Sequence, residues 1–353
     1  MATTAQAGTV GFGPQPAMGT LATDWYRHRA TLVDLAVQDP QQEGAPEVGG
    51  LPVPTFPYKT GPMVGGGLTL QPRLIDTLGW LLYGVLGDVD SDEDPGGSGI
   101  YNHVFKMASG NETYVPWMSF RKHIPRRGAD AATDLGEIYK DCKVMGFTLN
   151  LPNSEPLTAR VDVSGREFEF DYAPDAWTWE NTFEHWESIP VACQVGGFLN
   201  IDDVEFPVVQ ASVGFQNVPL DPRQERVYGS PFLEDITVLQ RRMVYDMTVK
   251  WNNPDLYTEI VTGASDGTEW SSAPKTASFS VKAVSSVNMP DETEQYSLQI
   301  DADEVMMSLQ GGITLAANQA IMMRFTGVAL ESDTNFCSAT LRNKIASYAW
   351  PAS

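Results

Sequence analysis

Hydrophobic residues at helical spacing distinguish one segment of the chain. Residues Pro72–Leu86 read PRLIDTLGWLLYGVL, with leucines and a valine recurring every three to four positions. Proline is tolerated in the first turn of a helix, and Gly87 follows where helices commonly end. The pattern predicts a helix over Pro72–Leu86 whose apolar face requires a sheet or a second helix to cover it.

Most of the remaining chain shows strand and turn patterns. The segment VDVSGREFEFD, from Val161 to Asp171, alternates apolar and polar residues around Ser164 and Gly165, which predicts a hairpin with a tight turn. Its polar face carries four acids: Asp162, Glu167, Glu169 and Asp171. Together with 31 glycines and 24 prolines, these patterns predict a mainly β fold.

A short motif occurs twice along the chain. Residues 39–43 read DPQQE and residues 221–225 read DPRQE, and Pro72 and Pro254 keep the same offset (221 − 39 = 254 − 72 = 182). Unrelated coincidences would not stay collinear, so we predict a diverged tandem duplication with the second helix shortened by eight residues. The predicted units are residues 1–173, a linker 174–190, and residues 191–353. Further matches are Leu82-Tyr83 with Leu256-Tyr257, Phe105 with Phe279, Val144-Met145 with Val305-Met306, and Gly165 with Gly327.

Composition narrows the class of protein. With 353 residues, 42% of them hydrophobic, the chain has material for two domain-sized cores. It has 45 acidic and 23 basic residues, a net charge of -22, so it lacks the basic surface of a nucleic-acid binder. An acidic surface lets DNA pass without sticking; the alternative is that the charge serves only solubility.

Cysteines and apolar segments indicate neither a secreted nor a membrane protein. Cys142, Cys193 and Cys337 are an odd number without CxxC spacing, which favours reduced thiols over a disulfide framework or a zinc site. The N-terminal segment lacks the pattern of a secretory signal. The longest apolar stretch, Leu74 to Leu86, is too short for a bilayer span, so we expect no membrane partner.

An acidic segment follows the predicted helix. The sequence DVDSDEDPGG places aspartates at alternate positions, and calcium prefers several carboxylates in a flexible loop. Neither counting register supplies the glycine and glutamate of an EF-hand, so a solvated loop is the preferred interpretation and calcium the alternative. The aspartates are Asp88, Asp90, Asp92 and Asp94.

Two other polar clusters have simpler interpretations than catalysis. Acids and His185 in the segment Pro174–Pro190 do not follow HExxH and alternate with tryptophans, which favours an aromatic linker packed on the domains. The basic run Arg121–Arg127 is too short for a nucleic-acid groove, and we expect it to pair with acids of a neighbouring subunit. No GxSxG or triad pattern occurs, so we expect no catalytic residues and no cofactor.

Two stretches carry a family resemblance. The first runs from Thr60 to Phe105 (TGPMVGGGLTLQPRLIDTLGWLLYGVLG, an acidic glycine-rich loop, then YNHVF) and resembles major tail proteins of long-tailed, non-contractile phages. The second, VACQVGGFLNIDDVEFPVVQASVGFQNVPL followed by DPRQERVYGSPFLEDITV, does so too. The resemblance is one of order and spacing between about Thr60 and Gly327. The chain is also similar to tail tube proteins with two fused tube domains, as in long-tailed phages of Thermus.

The resemblance implies two tandem tail-tube-type β-sandwich or barrel domains, each with a flanking helix. Such subunits form rings that stack into a tube, and DNA leaves the capsid through the lumen without specific binding. Because ordinary tail tubes are six-fold, a fused subunit predicts three chains per ring with pseudo-six-fold symmetry, and a hexamer is the alternative. The implied partners are further copies of the chain, a tape-measure protein, a tail terminator and tail-tip proteins, in a virion assembled in the host cytoplasm.

The resemblance also assigns surfaces. The acidic face of Asp162, Glu167, Glu169 and Asp171 supplies the candidate lumen residues. Segments Asp39–Phe56 and Asp221–Asp235 are the candidate loops that reach the adjacent ring. Their candidate residues are Asp39, Gln42, Glu43, Pro46, Leu51, Phe56, Asp221, Gln224, Glu225, Arg226, Tyr228 and Phe232.

The sequence also leaves open a different class of protein. A β-sandwich binding module for carbohydrate or a host surface would use exposed aromatic side chains, with or without calcium at the acidic segment. The candidate aromatic residues are Trp117, Trp177 and Trp179.

Overall fold

The protein is mainly β, as predicted. The computed structural model describes residues 8–38, 41–51, 53–95, 98–108, 114–125, 134–152, 155–181, 198–201, 204–205, 208–251, 254–311, 313, 320–331 and 336–348. Within these residues it contains two α-helices and a large antiparallel sheet.

The first part of the chain contains helix α1 (Thr77–Leu86) and twelve of the strands. These strands are β1 (Thr9–Pro14), β2 (Tyr26–His28), β3 (Ala30–Val33), β4 (Ala36–Gln38), β5 (Gln41–Glu43), β6 (Pro57–Lys59), β7 (Met63–Leu70), β8 (Gly87–Glu93), β9 (Tyr101–Met107), β10 (Met118–Ile124), β11 (Leu135–Pro152) and β12 (Thr158–Asp171). A short 3-10 helix, Pro174–Ala176, follows β12.

The second part contains helix α2 (Asp255–Thr262) and the remaining strands. These are β13 (Phe198–Ile201), β14 (Val204–Glu205), β15 (Val208–Pro219), β16 (Val238–Lys250), β17 (Thr276–Asn288), β18 (Gln295–Leu309), β19 (Met322–Ala329) and β20 (Ser338–Asn343).

One sheet crosses both parts of the chain without interruption. Its order runs from β4 through β7, β12, β11, β15, β16 and β19 to β18, every neighbouring pair being antiparallel. The pairing of β11 with β15 joins the first part to the second, and the hydrophobic core contains buried residues of both. The main sheet below means this run of strands.

A row of directly opposed residues shows which face of the main sheet is buried. Each member is buried, and the six that carry a side chain are no more than 4% exposed. Opposed residues share a face, so the core lies on this side of every strand in the row. The row is Leu70, Ala159, Leu149, Val213, Tyr245, Gly327 and Met307.

Helix α1 lies on this buried face, and all ten of its residues are buried. The side chain of Asp76 accepts a hydrogen bond from Thr77 N, and Gly87 ends the helix in the left-handed conformation (φ 94°). The predicted C-terminal end at Leu86 is therefore confirmed. The predicted start at Pro72 is wrong by five residues, since the cap lies at Asp76 rather than at the proline.

The predicted hairpin at Val161–Asp171 is wrong. These residues belong to the continuous strand β12, which pairs with β11 along its length and with β7 through Gly165. The apolar alternation shifts because Asp141 of β11 has a positive φ of 54° and the β10–β11 register is irregular beside it. Val161 and Val163 are buried, and Phe168 packs against the same core. The residues Ser164 and Gly165 make strand pairs, not a turn.

The two parts share only some of the predicted repeat. Strand β7 precedes α1 and pairs with β12, just as β16 precedes α2 and pairs with β19. However, Phe105 lies on β9 between β8 and β20, whereas Phe279 lies on β17 between β13 and β18, so that correspondence does not hold. The helices have 10 and 8 residues, so the eight-residue loss predicted for the second helix is also wrong.

Candidate assembly surfaces

The first predicted loop projects an exposed apolar surface. Residues 41–62 (the first loop) form a small separate sheet in which β5 pairs with β6. Tyr58 Oη donates a hydrogen bond to Gln42 Oε1 (2.8 Å), and the Phe56 and Tyr58 rings lie 6.1 Å apart. Glu43 and Pro46 are exposed, whereas Asp39 lies outside the described residues. The exposed apolar side chains are Val48, Leu51, Val53, Phe56 and Tyr58.

The second predicted loop presents another apolar tip. Residues 220–237 (the second loop) contain one isolated bridge, between Arg226 and Leu233. At the tip Tyr228 is fully exposed and Val227 is 44% exposed. Among the other candidates, Asp221 forms an ion pair with Arg223, Glu225 Oε1 accepts from Thr237 N (3.0 Å), Gln224 is exposed, and Phe232 is half-buried.

An arginine joins the two loops. Arg226 Nη2 donates to the carbonyl of Gly61 in the first loop (2.9 Å), and its Nη1 donates to Pro231 O (3.0 Å). Gly61 has a φ of 94°, and a Cβ there would lie 2.3 Å from Arg226 Nη1 and 2.4 Å from Pro231 O. Only glycine fits this junction without displacement. The structure thus joins the second predicted loop to Gly61, which lies five residues beyond the predicted end of the first loop at Phe56.

Two cations, the buried Lys143 and the half-buried Arg166, hold the base of the second loop on the first part of the chain. Arg166 Nε donates to Leu233 O (2.6 Å) while its Nη1 pairs with the fully buried Asp141 (3.0 Å). Lys143 Nζ donates to Ile236 O (2.8 Å) and to Asp235 Oδ1 (3.2 Å). Burial lowers the pKa of Lys143, and Asp235 opposes that change. The base of the second loop is therefore fixed on the first part of the chain, and the loop tip projects from it.

The face of the main sheet opposite the core carries a row of polar residues. On each strand, the residue next to the member of the buried row belongs to a second row. Adjacent residues of a strand point to opposite faces of the sheet, so the second row faces away from the core. Its members are half-buried, and all but one carry an uncharged hydroxyl or amide group. The row is Thr158, Asn150, Ser212, Asp246, Thr326 and Ser308. We call this side the polar face.

Arginines on the polar face are paired with carboxylates of the same chain. Arg324 lies opposite Thr248 and contacts both oxygens of Asp246, with Nε donating to Oδ1 at 2.9 Å. Arg160 lies opposite Thr69 on the paired strand β7. Its Nη2 donates to Asp34 (2.9 Å) and its Nε donates to Asp162 (2.8 Å). The bond to Arg160 holds the pKa of Asp34 below its ordinary value.

The four candidate lumen residues do not form one free acidic patch. Asp162 belongs to the Arg160 pair, and Glu167 forms an ion pair with Lys140 (2.7 Å). Asp171 accepts hydrogen bonds from Trp177 Nε1 (2.7 Å) and Ala173 N (2.8 Å), so it anchors the segment that follows β12. Glu169 is exposed.

The acidic segment after α1 is a strand rather than a loop, which corrects the prediction. Asp88, Asp90 and Asp92 lie on β8 opposite β9, and Asp94 follows the strand. Ion pairs join Asp90 to Lys106 and Asp94 to Arg342. Strand geometry spreads the carboxylates along the chain, so these contacts favour a structural role over calcium binding.

The aromatic segment packs on the first part of the chain, as the linker interpretation predicted. Arg121 lies over three tryptophan rings, with its Cζ 4.3 Å from the centroid of Trp25, 4.8 Å from Trp177 and 4.0 Å from Trp179. It also donates to Thr178 O, and burial lowers its pKa to about 10. Residues 182–190, including Glu184, His185 and Glu187, lie outside the described residues.

The described residues of the basic run make contacts within their own chain, and pairing with a neighbouring subunit stays a prediction. Besides Arg121, Lys122 pairs with Glu137, and His123 Nε2 lies 2.8 Å from Asp134 Oδ2; Arg126 and Arg127 are outside the described residues. The tryptophans offered as binding residues are also engaged, since Trp117 packs beneath Lys143 Nζ (4.1 Å to the ring centroid). This weakens the binding-module interpretation.

A side-chain cluster and a cleft have no counterpart among the sequence-based predictions. His123, Asp134 and Asp175 place ligand atoms within 4.8 Å of one another, in an arrangement that could hold a metal ion. A cleft of about 760 Å³ lies beside His123, between β1, β10 and the segment Arg27–Val33. Residues distant in sequence form both features, so spacing carries no signal for them.

Two further features concern the cysteines and the helices. Cys142 and Cys337 are buried free thiols, and Cys193 lies outside the described residues. Within the described part of the chain, neither helix has the length and apolarity needed to cross a bilayer.

Comparison with known proteins identifies the family. No curated protein sequence matches the chain. The family described as phage tail tube protein matches residues 5–258, well over half of the chain, and its match continues from the first part through β15 and β16 into α2. A structural role in a phage tail agrees with a fold whose conspicuous surfaces are apolar loop tips and a polar sheet face. The chain belongs to the phage tail tube protein family.

Proposed function

We propose that this protein polymerises into stacked rings that form the tube of a long, non-contractile phage tail and conduct DNA during ejection. The observation that carries the proposal is the main sheet, which continues across both parts of the chain with a core on one face and a row of small polar side chains on the other. A sheet of this kind becomes a tube wall when copies lie side by side, and closure removes the edges that would otherwise aggregate.

The exposed edge of the main sheet supports ring formation. In the described residues, β3 and β4 pair with β7 and not with a further strand, and Leu32 on β3 is 53% exposed. An edge with unpaired backbone groups and an exposed leucine is suited to a second copy of the chain. The heterologous contact that results closes into a ring.

The two loops are suited to contacts between rings. They combine exposed aromatic and aliphatic tips with bases fixed by Arg226, Arg166 and Lys143. Isolated surface hydrophobics are common, but a group of them on two joined loops indicates an interaction site. We assign the partner as the adjacent ring.

The duplication is proposed to set the ring stoichiometry. Strand β7 precedes α1 and pairs with β12, strand β16 precedes α2 and pairs with β19, and Gly87 and Gly263 end the two helices in the same left-handed conformation. These correspondences support two tube domains per chain, hence three chains per ring rather than six. The tape-measure, terminator and tail-tip partners and assembly in the host cytoplasm remain part of this proposal.

The loops provide the test. Tyr228→Ser and Leu51→Ser remove apolar tips that make no buried contact within the chain, so each variant should fold normally yet fail to stack. Trp270→Ser is the matched control, since Trp270 is 76% exposed and lies outside both loops. Negative-stain images of concentrated protein should show tubes for wild type and Trp270→Ser, but only rings or single subunits for the loop variants. Tubes of equal length from all four proteins would refute the loop assignment.

A further inference from the structure

Two arginines of the polar face are held in a form that hides them from anions. Arg324 is bound through both nitrogens of one edge by Asp246, and Arg160 is held between Asp34 and Asp162. Bidentate arginine–carboxylate contacts are the same contacts that an arginine would otherwise make to a phosphate. Each carboxylate therefore occupies the phosphate-binding edge of its arginine.

We propose that Asp246, Asp34 and Asp162 act as intramolecular masks that prevent Arg324 and Arg160 from binding the phosphate backbone of DNA in the lumen. The inference rests on the proposed tube function and specifies how the lumen surface avoids retaining DNA. It replaces a uniformly acidic lumen with a surface on which these two arginines are neutralised locally.

Placement and exposure distinguish these pairs from ordinary surface ion pairs. Both arginines stand on the polar face of the main sheet, Arg160 on β12 and Arg324 on β19. Arg324 retains a side-chain exposure of 58% and Asp246 of 36%, so the pair is reachable from solvent rather than part of the core. Exposed pairs contribute little to stability, so stability alone does not explain why these arginines are paired.

The neighbouring side chains fit the same purpose. The polar-face row that contains Asp246 is otherwise made of threonine, asparagine and serine. Hydroxyl and amide groups remain hydrated and make only neutral hydrogen bonds to phosphate, which are weaker than those of a free guanidinium. Exposing an arginine in each copy would add a repeated phosphate contact along the tube, and such contacts strengthen each other through multivalency.

The test measures DNA binding by assembled tubes of Asp246→Asn, which keeps the size of the side chain and removes the charge that masks Arg324. The matched control is Glu294→Gln, which removes one carboxylate from Arg342, an arginine away from the polar face. Imaged tubes are incubated with a short fluorescein-labelled DNA duplex, and anisotropy is followed across a salt series. We expect Asp246→Asn tubes to bind about tenfold more tightly than wild type at low salt, with a steeper salt dependence.

Two further variants complete the experiment. One also removes the unmasked arginine, and the other unmasks Arg160 instead of Arg324. Asp246→Asn combined with Arg324→Gln should return binding to the wild-type level, and Asp34→Asn with Asp162→Asn should reproduce the gain through Arg160. Tubes of these variants that bind DNA no better than Glu294→Gln tubes overturn the masking inference alone. Absence of tubes from wild-type protein overturns the proposed function and, with it, the masking that depends on a lumen.

Discussion

A single methyl group at Gly11 should release the aromatic segment from the first part of the chain. A Cβ at this position would lie 2.0 Å from Cζ3 of Trp179 and 2.9 Å from the carbonyl oxygen of Tyr26. The oxygen belongs to the paired backbone of β2 and cannot retreat easily, so the Trp179 ring must move. Its movement removes the nearest aromatic face from Arg121, which is only 5% exposed.

Two contributions set the expected size of the effect. Overpacking costs about 1–3 kcal/mol, and a desolvated cation–π contact contributes about 0.5–2 kcal/mol. Gly11→Ala should therefore lower the free energy of unfolding by about 2–4 kcal/mol. For a chain of 353 residues, an unfolding entropy of about 2 cal/mol/K per residue converts this loss to a decrease in Tm of about 3–5 °C.

The assay is thermal unfolding of the unassembled protein, with Gly214→Ala as matched control. Gly214 is also a strand glycine, but a Cβ there would meet nothing closer than 3.3 Å. Gly136→Ala should behave like Gly11→Ala, because its Cβ would lie 2.5 Å from Trp177. A Gly11→Ala protein that melts within about one degree of Gly214→Ala would refute the aromatic packing on which the estimate rests.

Three further predictions concern titration, the loop junction and the helix cap. Burial lowers the pKa of His28 from 6.5 to about 4, so its neutral form contributes stability that is complete above pH 6.5 and is lost as the pH falls through 4. That loss approaches about 3 kcal/mol, and urea unfolding of His28→Gln should show a correspondingly flatter pH dependence over this range; equal slopes would contradict it. Gly61→Ala should displace the loops from one another, abolishing tube formation in images while the Gly50→Ala protein still assembles, since a Cβ at Gly50 meets only one atom, at 3.4 Å. Asp76→Ala should destabilise the protein by about 1 kcal/mol through loss of the α1 cap, against no measurable change for Asp92→Ala in the same urea titration.

Local patterns in the sequence identified the features that depend on neighbours in the chain. The apolar spacing before Gly87 located the end of α1, because a left-handed glycine stops a helix wherever it occurs. The loops were found through their proline and glycine content and their repeated motif. Alternation also assigned the buried valines of β12 correctly.

Features that depend on distant contacts were beyond the sequence patterns. Ser164-Gly165 resembles a tight turn, but pairing with β7 on one side and β11 on the other holds it extended. The basic run resembles an exposed patch, yet the tryptophans that cover Arg121 come from residues 25 and 177–179. The masking pair of Arg324 with Asp246 joins strands separated by 78 residues. Such contacts become visible only once the strand order is known.

The most direct test of the proposed tube is a reconstruction of the assembled polymer by electron cryomicroscopy. We predict three chains per ring, Tyr228 and Leu51 against the next ring, and Arg324 paired with Asp246 on the inner wall. Six chains per ring would contradict the tandem arrangement, and a polar face turned to the outside of the tube would contradict the assignment of the lumen.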